Sequence, residues 1–217
     1  MASCYGMVAV QTAPEMTKKE IEECLQTAAL MLDDEFGGFL SQEGDNAFDQ
    51  PRMLWEELGD LVAVRPSGSR WLTVCEPISE NGFDGETGID IAQIYSVAFD
   101  APCISFSICD SEYLFVSFSD PQRDICSWYI TANEETLAQT DASELLNNEF
   151  PAELLQLLPE SMIFLGHRIW KQRYEFEEER LEALAELLHI AVIGLREDFS
   201  EKDWPHHDIW QFDFQNF

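Results

Sequence analysis

The chain has 217 residues, 46% of them hydrophobic, which is enough to bury a core in one domain. Twelve Lys and Arg stand against 42 Asp and Glu, a formal net charge of −30 whose field attracts basic surfaces and repels nucleic acid and anionic membranes. The acids are interleaved with Phe, Ile, Leu and Trp, which excludes a disordered acidic tail.

Residues 1–16 read as a short strand or an ordered arm around Met7-Val8-Ala9-Val10. Thr17-Lys18-Lys19-Glu20 is a capping box: Thr17 covers a backbone N–H and Glu20 reaches back. The helix it opens carries Ile21, Cys24, Leu25, Ala28 and Leu32 on one face. It is expected to stop near Phe36-Gly37-Gly38, where glycine suits a left-handed cap. Residues 41–50 read as a polar loop, and Pro51 opens a short helix that ends at Gly59. Two strands follow, Leu61–Arg65 and Trp71–Glu76, joined through Pro66-Ser67-Gly68-Ser69. Residues 77–88 read as a loop holding Asn81-Gly82 and Asp84-Gly85.

Ile91, Ile94, Tyr95 and Ala98 have helical spacing, so a helix is expected over 89–99, broken by Pro102. Cys103–Cys109, Tyr113–Ser119 and Ile125–Thr131 then alternate as three strands with tight turns, an antiparallel meander. Ile104, Phe106 and Ile108 share one face, Ser105 and Ser107 the other, and the preceding helix is placed to cover one of them. Further on, Ala142–Asn148 and Pro151–Leu158 read as short helices, and Phe164–Trp170 as a strand or a turn of helix. Glu175–Ile190 is the strongest helix, with Glu177-Glu178-Glu179 at its start and His189 near its end, as the macrodipole favours. Asp208–Phe214 closes the chain as a strand.

Six cysteines, at 4, 24, 75, 103, 109 and 126, form no CxxC pair. The start, Met1-Ala2-Ser3-Cys4-Tyr5-Gly6, lacks the regions of a signal peptide. Free thiols in a reducing cytoplasm are therefore expected.

Chemistry-bearing motifs are few. Trp204-Pro205-His206-His207-Asp208 holds the one His pair, read as a C-terminal loop before a metal site. Asp84, Glu86 and Asp90 lack the spacing of a calcium loop. Carboxylate pairs carry no signal where 42 acids are present. The aromatics Trp204, Trp210, Phe212, Phe214 and Phe217 read as core packing of a last strand, or as a patch for a partner.

The cations are unevenly spread: none lies between Lys19 and Arg52, between Arg70 and Arg123, or between Arg123 and Arg168. A chain of this mass exposes roughly 10,000 Å², so its net charge averages roughly one per 340 Å², about threefold more dilute than duplex DNA. Imitation of a phosphate backbone would need the acids gathered on one face.

The run of helix, Phe99-Asp100-Ala101-Pro102-Cys103-Ile104-Ser105-Phe106, Cys109-Asp110-Ser111-Glu112-Tyr113-Leu114 and late helix Phe176–Leu184 resembles bacterial proteins of the toxin-immunity kind over residues 89–190. The resemblance implies a protein that occludes a toxin, often a basic nuclease, and carries over no functional residue.

The expectation is one α+β domain over 1–217, an antiparallel β-meander flanked by helices, with 1–16 as an N-terminal arm and 198–217 as an aromatic C-terminal segment. It is expected to be cytoplasmic and not an enzyme, with no cofactor and no metal. Its expected partner is a basic protein such as a toxin or nuclease, bound through Asp84, Glu86, Asp90, Asp110, Glu112, Asp120 and Asp124, with no direct nucleic acid and no membrane. The alternatives are a metal-dependent hydrolase with acidic ligands, an acidic DNA mimic, and a scaffold whose charge serves solubility.

Overall fold

The computed structural model describes residues 5–40, 60–75, 84–139, 149–192 and 206–213. Seven strands, β1 (Tyr5–Gln11), β2 (Asp60–Pro66), β3 (Trp71–Cys75), β4 (Cys103–Cys109), β5 (Tyr113–Asp120), β6 (Ile125–Ala132) and β7 (His207–Asp213), pair antiparallel in the order β6-β5-β4-β1-β3-β2-β7. The meander is thus half of a larger sheet. Tyr5–Gln11 is its central strand: Val8 sits opposite Val74 on one side and Ser105 on the other. The C-terminal strand pairs with β2, Trp210 opposite Ala63.

The helices are α1 (Lys18–Leu40), α2 (Gly85–Phe99), α3 (Glu134–Gln139), α4 (Ala152–Leu155), α5 (Glu160–Lys171) and α6 (Glu177–Leu188). Period-two alternation sends successive strand residues to opposite layers. Val8, Val10, Leu72 and Val74 pack under Ile21, Leu25, Leu32, Ile91 and Tyr95 of α1 and α2. Met7, Phe106, Val116 and Phe118 pack against Leu154, Trp170, Leu181 and Leu184 of α4, α5 and α6. The fold class is the expected α+β, with both faces of the sheet covered.

Several expectations about elements change. Helix α1 runs through Gly37-Gly38 to Leu40. A glycine pair costs a helix about 1 kcal/mol per residue but ends it only by turning left-handed; among the described residues the positive-φ glycine is Gly68, in the β2–β3 turn. Helix α2 begins at Gly85, four residues early. Asp84-Gly85 is a cap, not a turn: the Asp84 carboxylate accepts from the Thr87 N–H at 2.8 Å. Phe164–Trp170 lies within helix α5, and α3 was not expected. The expectations for 41–59, 77–83 and 142–148 lie outside the described residues.

The capping box forms as expected. Thr17 N–H donates to Glu20 Oε2 at 2.8 Å and Glu20 N–H to Thr17 Oγ1 at 3.3 Å. These bonds hold the Glu20 carboxyl below its usual range. Arg180 ties α5 to α6. Fully buried, it donates to both Glu177 oxygens at 2.8 and 3.1 Å and to the carbonyls of Ile169 and Trp170, and lies 4.7 Å from the Tyr174 ring. Among the described residues no helix is long and apolar enough to cross a membrane.

Candidate functional site

Helix α2 is held to the sheet by serines. Ser105 Oγ donates to the Gly88 carbonyl at 2.8 Å, Ser117 Oγ to the Gly85 carbonyl at 3.4 Å, and Ser96 and Ser119 hydroxyls meet at 2.8 Å. Small side chains on that face let the helix backbone come close. Gly85 is needed there, since a Cβ on it would sit 2.3 Å from the Trp128 indole. The inner face being fixed, Glu86, Asp90, Gln93 and Val97, spaced three and four apart, form an exposed stripe.

Burial pushes the Asp90 carboxyl above its usual range, and repulsion from Glu35 on α1 and from Asp84 pushes it further. Among the described residues no ion pair reaches Glu35, Asp84, Glu86 or Asp90. Six carboxylates on α1 (Glu20, Glu22, Glu23, Asp33, Asp34 and Glu35) and four over Asp84–Asp100 face two lysines, Lys18 and Lys19, in the same segments. Lys19 pairs with Glu23 at 3.4 Å, and Lys18 Nζ lies 5.4 Å from the centre of the Phe212 ring.

The seven residues expected to contact a partner fall in different places. Asp84, Glu86 and Asp90 are together at the start of α2. Asp120 and Asp124 flank the β5–β6 turn, where with Gln93, Ser96 and Cys126 they line a cavity of about 220 Å³. Asp120 is 4% exposed, its carboxylate accepting from the Gln122 N–H at 3.1 Å and pairing with Arg123 at 3.4 Å, so it serves the turn. Asp124 is exposed at φ 55°. Asp110 and Glu112 lie at the other end of the meander, as its register requires. There Asp110 and Ser111, at φ 57° and 60°, form a two-residue turn closed by Glu112 N–H to the Cys109 carbonyl at 3.0 Å. The Glu177 N–H at the start of α6 donates to the Ser111 carbonyl at 3.1 Å. Glu35 was missed, because its nearness to Asp90 depends on how α1 and α2 pack and leaves no mark in either segment alone.

The other chemistry-bearing residues have structural neighbours. Asp208 pairs with Arg65 at 3.4 Å, and the Arg65 guanidinium lies 5.0 Å from the Trp210 ring centre. Phe212 is buried under α1, and Trp210 packs against the same core. Trp204, Pro205, Phe214 and Phe217 lie outside the described residues. Cys24, Cys103, Cys109 and Cys126 are free thiols; burial pushes those of Cys24, Cys103 and Cys126 up, away from the thiolate a nucleophile needs. Among the described residues no three His, Cys, Asp or Glu side chains gather as a metal site. Compared with protein-family models, with curated proteins and with solved structures, the chain matches none of them.

Proposed function

We propose that this protein binds a basic protein, of the toxin or nuclease class, and neutralises it by occlusion, with the carboxylate face of α1 and α2 as its docking surface. The supporting observation is the exposed stripe of Glu86 and Asp90 beside the Asp84 cap on α2, with no cation paired to Asp84, Glu86 or Asp90 among the described residues and with Glu35 and Asp84 repelling Asp90. Crowded like charges raise the energy of the free protein, and cations from a partner lower it. Such a surface also steers encounter, raising the association rate at low salt. The bound face would cover the partner's own anion-binding surface and so block it.

The test is capture from a lysate of the native cell on immobilised wild type and on the triple variant Asp84→Asn, Glu86→Gln, Asp90→Asn. One basic protein held in stoichiometric amount by the wild type, released by salt and lost on the variant, is the expected result. Equal retention by the variant, or retention of no basic protein, would contradict it.

A further inference from the structure

We infer, independently of the docking of a basic partner, that two copies of this chain pair through the outer face of α5, antiparallel about a two-fold axis at Phe164. Of nine Lys and Arg side chains among the described residues, five are in ion pairs with carboxylates. Lys18 lies over the Phe212 ring, and Arg70 donates to the Leu157 carbonyl at 3.3 Å. The other two are Arg168 and Lys171, exposed in the last turn of α5, and among the described residues no ion pair reaches either. In a chain with 42 acids, two cations left over on one helix face call for an explanation.

An aromatic ring stands in line with them. Glu160, Phe164, Arg168 and Lys171 are spaced four, four and three apart, one exposed stripe opposite the buried Gly166, Ile169 and Trp170. Phe164 is 78% exposed, more than any other large apolar side chain among the described residues. Among those residues no ion pair reaches Glu160 either. The order along the stripe is acid, aromatic, base, base, and a second copy laid antiparallel presents it in reverse. Phe164 then meets the partner's Phe164. Glu160 and Arg168 stand about 6 Å along the axis to either side of that ring, so each Glu160 meets the partner's Arg168, with the partner's Lys171 one turn further out. Symmetry makes the same pairing twice, and it sets the acidic start of each helix against the basic end of the other, as the macrodipoles favour. Parallel helices would set Arg168 on Arg168 and Glu160 on Glu160.

Charge also selects this face. Over Glu160–Lys171 one acid stands against two cations, the reverse of the balance in the whole chain. Two copies that each carry −30 repel at a distance, and α5 lets them touch without setting acid on acid. Helices α1 and α2 cover the opposite face of the sheet, so the pairing keeps the acidic helices of the two copies apart and leaves them open. A single helix pair is smaller than the roughly 1,200–2,000 Å² of a stable interface, so the dimer is weak and depends on concentration.

Sedimentation velocity of the full chain tests the pairing. The wild type should shift from monomer toward dimer as protein concentration rises. The shift should grow between about 10 and about 150 mM salt, as the Debye length falls from about 30 to about 8 Å and the repulsion between copies is screened. Phe164→Ser should weaken dimerisation by about tenfold, as truncation of a central aromatic does. Glu160→Arg should weaken it too, although it makes the chain less negative, and so should Arg168→Glu with Lys171→Glu. The three charge changes together restore opposite charges across the axis and should recover the dimer, a recovery that damage to the fold would not permit. A wild type that stays monomeric, a Phe164→Ser variant that dimerises as before, or a Glu160→Arg variant that dimerises more tightly would overturn the pairing. So would a combined variant that stays monomeric, or growth beyond the dimer, which a two-fold contact does not allow. None of these outcomes bears on the capture of a basic partner, which depends on the α2 carboxylates.

Discussion

Asp84 performs two jobs at once. Its carboxylate caps α2 by accepting from the Thr87 N–H, and its charge helps push the neighbouring Asp90 carboxyl up. The two roles separate by substitution. Asp84→Ala removes both and should cost about 1 kcal/mol in urea unfolding, the usual loss for an N-cap. Asp84→Asn keeps an accepting oxygen, so stability should stay within a few tenths of the wild type. In that variant the Asp90 carboxyl, followed by NMR, should titrate at lower pH than in the wild type, because one repulsive neighbour is gone. An unmoved Asp90 would mean that burial and Glu35 raise it without help from Asp84. The buried Arg180–Glu177 pair is a contrasting case: its charges are spent on each other and on backbone carbonyls, so it holds α5 to α6 and offers nothing to a partner.

At the scale of elements, the close seat of α2 on the serine face depends on small groups on both sides. Gly85→Ala should destabilise by about 1–3 kcal/mol by driving a methyl into the Trp128 indole. Trp128→Leu in the same chain should recover most of that loss, which a backbone effect of the alanine would not allow. Much of this architecture was legible in the sequence. Alternation over Cys103–Cys109 separated Ile104, Phe106 and Ile108 from Ser105 and Ser107, and the Thr17–Glu20 capping box located the start of α1. The central place of β1 was not legible, because its neighbours β4 and β3 lie far along the chain and a strand's own residues carry no address. Phe164–Trp170 is a short apolar run that strand and helix share, and its amphipathic helix emerges only with Ile169 and Trp170 packed on the core. The acids Asp84, Glu86 and Asp90 were legible as neighbours. The nearness of Glu35 to Asp90 comes from packing between distant segments.

Over the whole molecule, a net charge of −30 makes stability depend on pH and salt with a definite sign. The Asp90 and Glu177 carboxyls are raised in the folded state, Glu177 by burial against the opposing pull of Arg180. A raised carboxyl contributes stability that is present below its unfolded value and lost as pH rises through the folded one. As pH falls through the raised value of Asp90 toward the ordinary carboxylate range its contribution to Tm should therefore grow, while the contribution of Glu20, held low by Thr17, is lost only as pH falls further, through its folded value. Added salt should raise Tm at pH 8 and flatten the slope by screening the repulsion. The same charge governs the proposed association. The deciding measurement is the association rate with the captured basic partner between 50 and 500 mM salt. Electrostatic docking on the α1–α2 face predicts a fall of at least about tenfold in the association rate for the wild type and a shallower dependence for the Asp84→Asn, Glu86→Gln, Asp90→Asn variant. A rate indifferent to salt, or the same slope in both proteins, would contradict it.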